Sequence, residues 1–195
     1  AFNGSIAVPL SADSTLLFAD ATDNWFISEP MNAKLRTAPV VWKDKVAALP
    51  RSFESNLYLF NNEGKIPEGY PIELDGIFAS APVFFEETKG NPAVAFVSED
   101  GRFSIRSLSQ DYAETASCDL NTVCKADLAY SASLRAFFVV SQDGHLFKFN
   151  TAGAITDSLP LKTGAADDYR ITLLDVTGDG KDEIFVSGGG NALYG

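Results

Sequence analysis

The segment DVTGDGKDEI at residues 175–184 sets the carboxylates of Asp175, Asp179 and Glu183 around two glycines between apolar runs. That is the layout of a loop that holds a hard cation by its oxygens, built into a β-hairpin. Calcium takes six to eight oxygens in flexible geometry, and a short loop supplies most of them when alternate residues turn inward. Asp175, Asp179 and Glu183 then serve as carboxylate ligands. Thr177 gives a hydroxyl or carbonyl oxygen, Lys181 a backbone carbonyl, and water completes the shell. Gly178 and Gly180 permit the positive φ angles that wrap a backbone around an ion. Magnesium demands a tighter octahedron and suits the loop less well. The expected ion is a structural Ca2+ that pins the hairpin and activates no water. The alternative is a tight turn whose acids are simply solvated.

Other constellations offer less. A Ser-His-Asp or Cys-His mechanism needs an aligned histidine, and the single one, His145, follows Asp143-Gly144 at a hairpin turn, as a solvated turn residue would. Glu86-Glu87, Glu99-Asp100 and Asp167-Asp168 are sequence neighbours, read as loop charges and not as a pair flanking a glycosidic bond. Gly188-Gly189-Gly190 lies between strands, where it makes a turn and no phosphate loop. Cys118 and Cys124, in CDLNTVC, either close a short disulfide loop or remain two thiols. With one His and no further Cys they do not make a zinc site.

The elements that position these residues come from an internal repeat. VSEDGRFSI from Val97 returns as VSQDGHLFKF from Val140 and VSGGGNALY from Val186, at intervals of 43 and 46 residues. ADATDNWFIS from Ala19 is a weaker copy, and VAALPRSFESNLYLFN from Val46 a looser one with an expanded turn. A short apolar run precedes each hairpin: SIAVPL, APVVW, APVFF, ADLAYS and ITLLDV. YPIEL and SLPL follow two of them. Four short strands per forty-odd residues, with almost no helical periodicity, predict an all-β chain of four-stranded antiparallel propeller blades. Five units are expected, at about 5–34, 35–77, 78–125, 126–164 and 165–195, within a single propeller domain or fragment. The last unit stops after its third strand, so a partial propeller is expected. Ring closure by SIAVPL and mutual completion of two copies are the alternatives. RAFFVVS, continuously apolar, suits a strand covered on both faces.

At 46% hydrophobic and 21% charged, the 195-residue chain can bury a sizeable core. A net charge of −11 argues against nucleic-acid binding, which draws on Lys and Arg, and favours cations or basic partners. No run approaches the length of a transmembrane span. Trp25, Trp42, Tyr58, Phe60, Phe84, Phe85, Phe137 and Phe138 fall in strand-like segments and are read as packing between sheets. Phe53 and Tyr70 are the candidates for exposed contact.

DVTGDGKDEIFVSGGGNALYG, with NLYLFNNEGKIPEGYPIEL and ASAPVFF, resembles the FG-GAP or VCBS-type repeats of integrin-like β-propellers. The resemblance implies a calcium-binding loop between the first two strands of a blade, present once here. GKIPEGYPIEL also resembles repeats of secreted bacterial surface proteins. The function expected is a non-catalytic, extracytoplasmic module, secreted, on a cell surface or periplasmic, that binds a protein or carbohydrate ligand. Residues 108–125 and 50–56 are the candidate recognition loops. The competing expectation is an enzyme or enzyme-associated domain acting on polysaccharide from the propeller face.

Overall fold

The computed structural model describes residues 6–10, 14–19, 24–35, 37–50, 52, 55–88, 90–109, 112–162, 165–188 and 192–194, with the backbone alone at 6–10, 88 and 192–194. Among these residues every regular element is a β-strand. The chain divides into two compact units, Ala1–Pro82 and Val83–Gly195.

In the first unit β1 (Ile6–Leu10), β2 (Thr15–Ala19) and β3 (Trp25–Ile27) form one antiparallel meander. β4 (Val40–Trp42), β5 (Lys45–Ala48), β6 (Ser55–Phe60) and β7 (Ile72–Leu74) form another. Because side chains alternate across a strand, Leu16 and Phe18 of β2 share one face, as do Val46 and Ala48 of β5 and Tyr58 and Phe60 of β6. These residues are buried together, with Phe18 stacked on Phe26 at 5.1 Å between centroids. The Tyr58 hydroxyl stays satisfied by accepting from the Asn32 N–H at 2.9 Å.

The second unit holds β8 (Val83–Thr88), β9 (Asn91–Val97), β10 (Arg102–Ser107) and β11 (Glu114–Asp119) in one sheet. β12 (Ala129–Ser131), β13 (Ala136–Val140), β14 (His145–Asn150) and β15 (Ile155–Pro160) make the next. β16 (Arg170–Leu174), β17 (Glu183–Gly188) and β18 (Ala192–Tyr194) make the last. Phe85, Ala95, Phe103 and Ile105 pack on Phe137, Val139 and Phe149, and the Phe103 and Phe149 rings stack at 4.3 Å. On the other side of β13, Val140 packs with Tyr169 and Val186. β13 is thus buried on both faces, which is why its sequence is apolar without alternation.

Two turn designs recur. Between the second and third strands, Ser98 and Ser141 each bond to a residue two positions on, Asp100 or Asp143, and accept the N–H four positions on. Between the third and fourth, the Oδ1 atoms of Asn61 and Asn150 each accept two backbone N–H groups at 2.9–3.0 Å. These Asx- and Ser-anchored turns set the strand registers and account for the repeated Ser-x-Asp-Gly and Asn-x-x-Gly signatures.

The expected recognition loop at 108–125 contains a strand: residues 114–119 are β11, paired along β10. Its sequence ETASCD is polar and mostly exposed, so no apolar alternation marked it. In the other candidate, 50–56, Ser55 and Asn56 already belong to β6, while residues 51, 53 and 54, Phe53 among them, lie outside the described residues. Gly189 and Gly190 also lie outside them. Cys118 and Cys124 are both free thiols, the second buried among Phe103, Leu120 and Leu128. Of the strand aromatics, Tyr58, Phe60, Phe84, Phe85, Phe137 and Phe138 are buried, whereas Trp25 is 63% exposed.

Candidate metal centre

β16 and β17 are paired through Leu174 and Glu183, and the residues between them form the acidic turn. The pairing puts Asp175 and Glu183 at the two feet of the turn, with Asp179 at its far end. Oxygens of these three carboxylates lie within 4.8 Å of one another. The backbone folds inward onto them. Asp175 accepts the N–H of Gly178 at 2.7 Å and of Gly180 at 2.8 Å. Glu183 accepts the N–H of Val176 at 2.7 Å and of Thr177 at 3.3 Å, and the Thr177 hydroxyl at 3.1 Å. Asp179 accepts the Lys181 N–H at 2.9 Å.

Gly178 and Gly180 have φ of 76° and 84°, and a Cβ at either would meet nothing within 4 Å. Backbone conformation, not space, therefore requires glycine there. Of the five expected ligands, the structure brings Asp175, Asp179 and Glu183 together and sets the Thr177 hydroxyl against Glu183. Lys181, expected to lend its backbone carbonyl, donates its N–H to Asp179. An all-oxygen donor set of three carboxylates fits calcium better than zinc or other metals that favour nitrogen and sulfur.

Sequence reasoning missed Asp182. Its carboxylate points away to the β12–β13 turn and accepts from the Ser131 hydroxyl and, at 2.9 Å, from that of Ser133. Its N–H donates to the Ser133 oxygen at 2.9 Å. Nothing local links SASLR to an acid about fifty residues on, so only the packed sheets reveal the pair.

The remaining candidate residues do not assemble with these. His145 opens β14 and sits 3.4 Å from Asp143 by its Nδ1. Glu87 accepts from Thr115 at 3.2 Å, Asp100 from Ser98, and Asp167 from Lys125 at 3.2 Å and from Gln142. Trp42 carries the Lys43 ammonium over its ring at 5.3 Å. Tyr70 is partly buried and precedes a cis proline, Pro71.

No protein-family model matches the chain, and no curated protein matches it. Solved structures do. The chain is similar to BBS1N, determined in complex with ARL6DN, at 14% identity and a TM-score of 0.66 over 93% of this chain and 57% of that one. It is also similar to Hsv2 of Kluyvelomyces marxianus, at 14% identity and a TM-score of 0.69 over 98% of this chain and 56% of that one. The chain thus spans somewhat more than half the length of each. At such identity the likeness shows the fold, a β-propeller, whose antiparallel sheets have three or four strands among the described residues. No helix among the described residues is long and apolar enough to cross a membrane.

Proposed function

We propose that this chain is a non-catalytic binding module of the FG-GAP or VCBS kind, working outside the cytoplasm, whose β16–β17 loop holds a structural Ca2+ while its loops grip a protein partner. The convergence of Asp175, Asp179 and Glu183 within 4.8 Å carries the reading. Three like charges so close repel one another, and a divalent ion relieves that repulsion while its oxygen shell is filled. Extracellular calcium modules work with dissociation constants of roughly 10⁻⁴–10⁻³ M, a range a solvent-facing loop of this kind would reach. The residues' own part is to hold the oxygens ready: Gly178, Gly180, Val176 and Thr177 fix the Asp175 and Glu183 carboxylates through backbone hydrogen bonds.

Protein binding is supported by the fold, since rigid sheets carrying variable loops favour recognition, and by BBS1N having been solved with ARL6DN. Residues 120–128 join β11 to β12 and expose Val123, which offers an apolar contact to a partner.

Calorimetric titration of the chelator-stripped chain with CaCl2, and with MgCl2 as control, tests the cation. Calcium is expected to bind and to raise the melting temperature, and Asp179→Ala to abolish both. Identical melting curves in calcium and chelator would reject the site. Cross-linking to an extracytoplasmic protein fraction, wild type against Val123→Glu, tests the partner surface. Equal capture by both would remove residues 120–128 from the proposal.

A further inference from the structure

We infer that the β16–β17 loop is also a latch between sheets, with Ser133 and Asp182 as positioning residues that couple cation binding to the β12–β13 turn. The inference rests on the calcium reading of the loop and goes beyond it, because neither residue is a ligand.

Asp182 lies directly between Lys181 and Glu183, so its backbone is part of the span that must be fixed for Glu183 to face an ion. That backbone is held by a reciprocal pair of bonds: the Asp182 N–H donates to the Ser133 oxygen, and the Ser133 hydroxyl donates back to Asp182 Oδ2, each at 2.9 Å. Ser131, 1% exposed, adds its hydroxyl to the same carboxylate oxygen while accepting the Leu134 N–H at 3.0 Å. Both hydroxyl protons go to Asp182, so the Ser131 and Ser133 oxygens, 3.1 Å apart, are held together by the carboxylate they share.

The turn it reaches is tied on its other side as well. Arg135, at φ 49°, donates from Nη2 to the carbonyl of Glu87, near the end of β8. Three successive sheets are therefore linked in series, with 131–135 in the middle, the acidic loop at one end and strand β8 at the other. Fixing the loop fixes Asp182, and fixing Asp182 restrains the turn. By reciprocity, loosening the turn must weaken binding at the carboxylates.

Outer partners that orient ligands commonly change metal affinity by about 10–100-fold. Ser133→Ala leaves every charge in place, so it separates positioning from electrostatics. Calcium affinity by calorimetry is expected to fall about tenfold in Ser133→Ala and to return in Ser133→Thr, which restores the hydroxyl. Hydrogen exchange supplies a readout a purely structural residue would not move. Adding CaCl2 to the wild-type chain should slow exchange at 131–135 as well as at 175–183. In Ser133→Ala the slowing should be confined to 175–183. If wild type shows no calcium heat, the cation reading fails and takes the latch with it. If wild type binds but exchange at 131–135 is unchanged, or Ser133→Ala binds equally well, the latch alone is overturned.

Discussion

Burial in the Phe103 cluster pushes the Cys124 thiol up to about 12, with the Asp143 and Asp100 carboxylates adding to the shift. The thiolate is the reactive form, so Cys124 is inert in the folded chain, while Cys118 is partly exposed on β11. A maleimide at neutral pH should therefore label one cysteine in the native state, Cys118 by peptide mapping, and two after denaturation. Rapid double labelling of native protein would contradict this placement. Asp143 shows the opposite displacement. The Ser141 hydroxyl above all, with His145 and Thr122, holds its carboxyl below the ordinary 3.8 against a smaller effect of burial. A carboxyl depressed on folding stabilises above its unfolded value and loses that contribution as pH falls through the folded one. The gap in melting temperature between wild type and Asp143→Asn should accordingly be open at pH 6 and close as pH drops below 3.8. A gap independent of pH would refute the assignment.

Among the elements, turns were legible where a side chain dictates them and illegible where packing does. Ser-x-Asp-Gly at 98–101 and 141–144 announces itself because the hydroxyl, the carboxylate and a positive-φ glycine are all needed locally. β11 gave no such signal, since a polar outer strand is specified by its partner β10. The carboxylates of the acidic loop could be read from spacing alone, whereas the bonds of Asp182 to Ser131 and Ser133 arise only when two sheets meet. Glycines divide in the same way. A Cβ on Gly101 would lie 2.0 Å from the Thr122 carbonyl oxygen, where the 119–124 segment crosses the β9–β10 turn, and its φ is 90°. Gly178 faces open space. Gly178→Ala is expected to lose about 1–3 kcal/mol, the range of left-handed strain, and Gly101→Ala more, because backbone must also move. Urea unfolding of the two variants measures the difference, and equal losses would show that Thr122 yields freely.

At the scale of the molecule, the charge of −11 acts everywhere at once. The ion pairs Lys65–Glu29, Arg102–Glu114 and Lys125–Asp167 are at the surface and contribute little, so self-repulsion should dominate the response to ionic strength. Melting temperature is expected to rise as NaCl goes from low to physiological strength, and to rise further with CaCl2 at fixed ionic strength. A fall with NaCl would mean that pairing outweighs repulsion. In each sheet formed by the described residues the strands lie side by side in the order in which they are written, with no crossover. Every sheet can therefore close from contiguous residues without waiting for a distant part of the chain. Such a polypeptide is suited to assembling in sequence as it emerges from a ribosome, each sheet complete before the residues of the next have been made.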